Sequence, residues 1–308
     1  MSADVIVVGG GVIGLSAAVV LAEGGRRVRV WSKEPAARTT SAVAGAVCWP
    51  YRIEPLDRVV DWSLRSLRAY EELAALPEET GVRLVTGVMA DGSILGAWSG
   101  ALGGVRPAVD LPEGYGQGIE ATVPVLDMPV YLRYLTRRLL DAGGSVEERT
   151  VTDLDEAAAE APAVVHCSGL GARELAGDAS VYPVRGQLVV VENPGLERWF
   201  VGGTETYVIP HPKGVVLGGC AGEGDWSREP DPATAAGIVE RCARILPELA
   251  TARVLEHRVG LRPARPSVRL ERERLGDTGA VVVHNYGHGG GGVTAAWGCA
   301  QDVAALLD

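Results

Sequence analysis

An α/β fold is predicted from this 308-residue sequence, with a discontinuous Rossmann-like nucleotide-binding domain and an inserted mixed-sheet domain for substrate binding. Three observations predict it. Residues 4–22 read as strand, glycine turn and helix, and residues 281–300 repeat that device at the other end. A third buried strand at residues 163–167 lies midway, with mixed-strand material before and after it. The predicted boundaries assign 1–48, 143–188 and 267–308 to the nucleotide domain, and 49–142 and 189–266 to the inserted one.

The first element, Asp4-Val-Ile-Val-Val-Gly-Gly-Gly-Val-Ile-Gly-Leu-Ser16, places Gly9, Gly11 and Gly14 in the G-x-G-x-x-G register. Gly9 permits the tight turn, Gly11 admits a pyrophosphate and Gly14 lets helix and strand pack closely. With Val12 and Ile13 they open a helix whose N-terminus receives phosphate charge. Arg27-Val-Arg-Val-Trp31 alternates as the second strand of a β-α-β unit. A ribose site wants an acidic group at its end, where Lys33 and Glu34 stand. Thr39, Thr40, Ser41, Gly45, Ala46 and Val47 form a small, hydroxyl-bearing segment suited to lie against a cofactor and offer it hydroxyl and amide donors.

Amphipathic helices are predicted at residues 61–76, 129–142 and 233–246. Strands are predicted at 145–152, 163–167 and 184–191, and at 206–209 paired with 215–219 across a turn. Near the C-terminus, three β-branched residues lead into Gly289, Gly290, Gly291 and Gly292, and a helix follows from Val293. Glycines there let the backbone approach a flat ligand, with a helix N-terminus facing it.

Composition narrows the function. Hydrophobic content of 47% suits a globular protein, while a net charge of −10 disfavours nucleic acid and anionic membrane surfaces as partners. Five scattered cysteines without C-x-x-C spacing suggest reduced thiols rather than a disulfide framework or zinc site, and no metal is expected. Residues 5–22 are apolar enough to pass for a signal peptide, but their glycine spacing favours a buried strand and helix, so a cytoplasmic location is expected.

Residues 261–272 combine prolines with guanidinium groups. In an extended chain Arg262 and Arg265 point to opposite faces, so one can turn inward as the bidentate partner of a substrate carboxylate. Tyr207 stands on a strand from which a phenol can meet that carboxylate. His284 and His288 flank the glycine loop, where a histidine more often orders backbone than titrates.

These pieces together resemble the D-amino-acid oxidase family of FAD enzymes over nearly the whole chain. The most specific match is His284-Asn-Tyr-Gly-His-Gly-Gly with Gly292, Thr294, Gly298 and Ala300. Supporting matches are Gly9-Gly-Gly-Val-Ile-Gly-Leu-Ser16, Ala44-Gly-Ala-Val47 running into Trp49-Pro-Tyr51, Val165-His-Cys-Ser-Gly169, Arg185-Gly-Gln187, Tyr207-Val-Ile-Pro210 and Gly260-Leu-Arg-Pro-Ala-Arg-Pro266.

The resemblance implies non-covalent FAD and oxidative deamination of neutral or apolar D-amino acids. A hydride would pass to flavin N5 and oxygen would reoxidise the flavin, giving a 2-oxo acid, ammonia and hydrogen peroxide. The implied partners are a D-amino acid and oxygen, with a homodimer as an open option. Arg265 would be the carboxylate clamp beside Tyr207, with backbone near Trp49 and Gly290 at the substrate amine. Val165, Ser168, Arg265, Arg272, Gly289, Gly290, Gly292, Val293 and Thr294 would contact the cofactor. Three departures bear on substrate range. Gly203 replaces a second tyrosine, in a short segment from Phe200 to Thr206; Gly291 stands where vertebrate-type members carry an aromatic; and Lys33 holds the ribose acid's usual place. The alternatives are a D-aspartate oxidase, a glycine or sarcosine oxidase, and a non-catalytic flavin-binding redox sensor.

Overall fold

The computed structural model describes residues 3–91, 97–203, 205–275 and 279–308. The chain opens with β1 (Val5–Val8), α1 (Val12–Glu23), β2 (Val28–Ser32), α2 (Thr40–Val43) and α3 (Leu56–Leu73). Next come α4 (Pro77–Thr80), β3 (Val82–Ala90), α5 (Ala97–Ala101), β4 (Arg106–Pro107) and β5 (Gly118–Leu126). Then α6 (Met128–Asp141), β6 (Ser145–Glu148), α7 (Leu154–Ala158), β7 (Ala163–His166) and α8 (Ala172–Leu175) bring the chain back to β1. There follow β8 (Tyr182–Val191), β9 (Trp199–Gly202), β10 (Thr206–His211), β11 (Gly214–Gly218), β12 (Gly222–Glu223), α9 (Pro232–Ile245) and β13 (Val254–Ala264). The chain ends with β14 (Arg269–Arg274), β15 (Val281–Tyr286) and α10 (Gly292–Leu307).

Among the described residues these strands make two sheets. The first runs β14-β15-β7-β1-β2-β6, parallel apart from β14 at its edge. From β1 the chain moves outward to β2 on one side and later enters β7 on the other. Such a switch point opens a crevice at the carboxyl ends of the strands. The second sheet runs β12-β8-β11-β10-β9-β3-β5-β4, with β13 paired along the length of β8. The hairpin expected between residues 206 and 219 forms, with Tyr207 opposite Gly218.

The expected domain limits need correction in two places. The limit at 188/189 falls inside β8, a single strand of the second sheet from Tyr182 onward. Helices α3 and α6, placed by contiguity in the inserted domain, bury Trp62, Tyr70, Tyr131 and Leu135 in the core that α1 and α10 form against the first sheet. An amphipathic helix goes wherever its apolar stripe finds cover, whatever its neighbours in sequence do. That cover also explains the apolar α1, which is buried against α6 and α10. Among the described residues no helix is long and apolar enough to cross a membrane.

Candidate active site

A cavity of about 1020 Å³ is walled by both sheets, from the carboxyl ends of β1, β2 and β7 to the loop before α10. At its first end the chain packs backbone on backbone. Gly9 has φ +120, and a Cβ there would lie 2.3 Å from the Cys167 carbonyl oxygen. A Cβ on Gly14 would lie 1.9 Å from the Gly9 carbonyl oxygen. The start of α1 carries no side-chain cap from Gly11 and no acidic residue in its first turn. Its Val12 N–H donates to Ser41 Oγ at 3.0 Å.

Gly9, Gly11, Val12, Ile13, Lys33, Glu34, Thr39, Thr40, Ser41, Gly45, Ala46, Val47 and Ser168 all lie on the cavity wall. Thr39 and Thr40 are not the free hydroxyl donors expected of them. Their protons go to the Ala36 and Leu261 carbonyls, at 2.7 and 3.2 Å. Gly14 acts from behind the wall by close packing. Val165 does not reach the cavity, because strand parity buries it in the core that α1 and α10 form against the first sheet. The wall instead includes Thr150, Val151 and Thr152, which the sequence reading missed. They follow β6, which pairs parallel with β2, so its carboxyl end opens into the same crevice.

At the second end the glycines serve packing as well as approach. Gly289 has φ +52, and Cβ atoms on Gly289, Gly290 and Gly291 would lie 2.1, 2.4 and 2.5 Å from atoms of Arg52, Tyr51 and Ile53. The loop is thus pressed against residues 51–53. Gly292, Val293 and Thr294 open α10 on the wall, and α10 likewise lacks a side-chain cap or a first-turn acid. Arg272 is a correction. It lies on edge strand β14, and its Nη1 donates to the Leu306 carbonyl at 3.0 Å, at the far end of α10.

The arginine expected to clamp the carboxylate is also corrected. Arg265 lies just past the end of β13 and turns away from the cavity. Its Nε donates to Asp178 Oδ2 at 2.9 Å and its Nη1 to the Ser267 carbonyl at 2.8 Å. Three residues earlier, on the opposite face, Arg262 lies on the wall. A Cβ on Gly186 would meet its Nη1 at 2.5 Å, so that glycine makes the room it occupies. Its Nη1 donates to the Cys220 carbonyl at 3.1 Å, and among the described residues it has no carboxylate partner. Its guanidinium stands 5.8 Å from the Tyr51 ring centre.

Tyr207 shares this end of the cavity with Tyr51, Trp49 and Gly290. Burial pushes its phenol up to about 12, against the opposing charge of Arg262, so it stays a hydroxyl donor at neutral pH. The Trp49 carbonyl accepts from Thr294 Oγ1 at 3.1 Å. A Cβ on Gly218 would lie 2.0 Å from Tyr207 Cζ. Gly218→Ala is therefore expected to displace the ring and raise KM several-fold while flavin content holds, as steady-state kinetics and absorbance would show. An unchanged KM would mean that Tyr207 does not touch substrate. Of the expected lid segment, Gly203 and Thr206 line the cavity, and Thr204 lies outside the described residues.

Four buried polar atoms of residues that line the wall have no hydrogen-bond partner among the described residues: Trp31 Nε1, both amide atoms of Asn285, and His288 Nε2. Buried polar groups are rarely left so, because each forfeits its hydration. Two helix starts with neither an N-cap side chain nor a first-turn acid, together with the glycine cradle, fit an anionic dinucleotide.

Arg265 acts as a structural residue through Asp178, which also accepts from Tyr286 Oη at 2.9 Å. Burial alone would raise the Asp178 carboxyl, but hydrogen bonds from Ser180, Arg265 and Tyr286 hold it well below the usual carboxylate range. The ionised group therefore stabilises the fold above its unfolded pKa of about 3.9, and that contribution is lost as pH falls below it. Asp178→Asn is expected to lower Tm by several degrees at pH 7, with the gap to wild type narrowing as pH drops below about 4. A gap independent of pH would contradict this.

Comparison with known proteins agrees with the geometry. Residues 4–306 match the FAD dependent oxidoreductase (DAO) family. A D-amino-acid oxidase of Streptomyces coelicolor is 58% identical over 98% of this chain and 96% of its own. A D-amino-acid oxidase of Rubrobacter xylanophilus is 52% identical over 99% of this chain and 95% of its own. Among solved structures, glycine oxidase from Geobacillus kaustophilus superposes with a TM-score of 0.84 at 21% identity, over 99% of this chain and 94% of that one.

Proposed function

The chain belongs to the DAO family of FAD dependent oxidoreductases, and on that premise we propose that it oxidises neutral and apolar D-amino acids. With oxygen and water, each substrate yields a 2-oxo acid, ammonia and hydrogen peroxide. FAD, when bound, would supply the acceptor for the α-hydrogen and pass the two electrons on to oxygen. The residues of the chain bind, orient and supply potential.

The observation that carries this reading is Arg262, a guanidinium without a carboxylate partner among the described residues, on the wall beside Tyr207 and at the α10 end of the cavity. Its planar fork suits a substrate carboxylate bidentately, and the Tyr207 hydroxyl donates a further bond. The Gly290 backbone and the Trp49 carbonyl, which keeps a second lone pair, line the same end of the cavity and would orient the amine. The α10 N-terminus, on the cavity wall, would offer positive potential to negative charge developing on a bound flavin. Gly9, Gly11 and the start of α1, on the cavity wall, would take the pyrophosphate, with Lys33 and Glu34 toward the ribose. Met89, Leu188, Val201 and Ile209 give the wall an apolar lining that favours uncharged side chains. Five unpaired thiols suit a cytoplasmic location. The preference for D-amino acids rests on the relatives at 58% and 52% identity.

One observation favours D-aspartate instead. Arg52 and Arg228 also lie on the wall, and although Glu223 neutralises Arg52 at 2.5 Å, Arg228 has no ion-pair partner among the described residues. Peroxide-coupled turnover of D-alanine, D-valine, D-aspartate, glycine and sarcosine separates the readings. D-alanine and D-valine are expected to give the highest kcat/KM. A higher value for D-aspartate, or for glycine and sarcosine, would replace the proposal with the corresponding oxidase. Turnover of none would leave a flavin-binding sensor.

A further inference from the structure

Behind the cavity wall four side chains are joined end to end. Ser168 Oγ lies 2.6 Å from His166 Nε2, His166 Nδ1 lies 3.0 Å from His284 Nδ1, and His284 Nε2 lies 2.7 Å from Glu273 Oε1. Both imidazoles are fully buried. They stand opposite each other on the parallel strands β7 and β15, and the ring of Tyr286 packs against both, at 5.0 and 5.7 Å.

The chemistry of the groups sets the direction of every bond. Arg269 Nη2, 2.9 Å from Glu273 Oε2, holds the carboxylate ionised, and a carboxylate only accepts. His284 therefore carries its proton on Nε2, which leaves Nδ1 bare. The contact between the two Nδ1 atoms needs one proton, and that proton belongs to His166. His166 Nε2 is then bare, so the Ser168 hydroxyl donates inward to it. Burial keeps both rings neutral, with His166 pushed down to about 3 and His284 lowered although Glu273 opposes the shift. Ser168 presents only lone pairs to the cavity.

That outcome is unusual for its place. Ser168 follows β7 beside the Gly9 turn, where a serine hydroxyl would ordinarily donate to phosphate. A lone pair facing a phosphate oxygen is repulsive, so the group that Ser168 meets must itself donate. We propose that the chain Glu273–His284–His166 fixes Ser168 as a dedicated acceptor for a hydroxyl of the cofactor's ribityl or ribose portion. Glu273, His284 and His166 are then positioning residues for cofactor binding. The inference rests on the FAD reading above, and it names the part of that cofactor which is recognised.

The test measures dissociation constants by flavin fluorescence on stripped and reloaded protein, for wild type, Ser168→Ala, Glu273→Gln and the double variant. The ligands are FAD and a series of analogues, each lacking one ribityl or ribose hydroxyl. Glu273 is half-exposed, so its amide variant keeps the fold while removing the charge that sets the direction. Ser168→Ala is expected to weaken FAD about three- to tenfold, the worth of one neutral hydrogen bond. Glu273→Gln should weaken it about two- to fivefold, and should add nothing once Ser168 is alanine. Against one analogue in the series, Ser168→Ala should cost nothing. Equal losses across the series, or effects of Ser168→Ala and Glu273→Gln that simply multiply, would overturn the proposal and leave the chain as core packing. Failure of the wild-type protein to bind FAD would instead overturn the functional reading.

Discussion

Arg262→Ala is expected to lower kcat/KM for a D-amino acid roughly thirtyfold to a few thousandfold, about 2–5 kcal/mol, the usual cost of truncating one side of a buried, hydrogen-bonded charge pair. The loss should appear mainly in KM, because the guanidinium holds the carboxylate in ground state and transition state alike. Flavin content should stay at the wild-type level. Arg262→Lys should recover only part of the loss, since a point charge replaces a planar fork. The matched control is Arg265→Ala. That residue spends its hydrogen bonds on Asp178 and Ser267, so its removal should lower Tm by several degrees and leave KM within about twofold. Steady-state kinetics with thermal melts of the two variants decide the matter. If Arg265→Ala raised KM while Arg262→Ala did not, the clamp would have to be reassigned.

Gly14→Ala should abolish flavin retention. The new methyl would lie 1.9 Å from the Gly9 carbonyl oxygen, an atom of the turn itself, and 3.3 Å from Cys167 Cβ. No flexible side chain is available to yield, so α1 must move away from β1 and take its uncapped N-terminus with it. The affinity for FAD is expected to fall about a hundredfold or more, by the 1–3 kcal/mol typical of overpacking and the lost phosphate alignment together. Absorbance at 450 nm and fluorescence titration measure it. Gly103→Ala, where an added Cβ meets nothing within 4 Å, controls for the substitution itself. Full flavin occupancy in Gly14→Ala would show that the first glycine turn does not hold the cofactor.

Much of this was legible in the sequence because it depends on local spacing. Gly9, Gly11 and Gly14 mark the first turn by their intervals. The pair of strands around residues 210–214 follows from alternation, and the second helix start follows from the glycine run ahead of Val293. What was not legible depends on parity and pairing. Arg262 and Arg265 are close in sequence and alike in type. The choice between them is made by the register of β13 on β8, which sets Arg262 opposite Val184 and beside Gly186. Val165 belongs to the right strand but points to its buried face. Thr150 to Thr152 come to the cavity only because β6 pairs with β2. The contact between His166 and His284 joins residues 118 positions apart through strand pairing. Arg272 was assigned by resemblance, and edge strand β14 turns it to the far end of α10.

The most direct measurement is anaerobic mixing of the purified flavoprotein with D-valine and, separately, with L-valine, following the flavin band near 450 nm. The expected outcome is rapid, saturable bleaching with the D-enantiomer, none with the L-enantiomer, and a saturation constant that rises steeply in Arg262→Ala but not in Arg265→Ala. Bleaching by the L-enantiomer, or no bleaching by any D-amino acid, would contradict it.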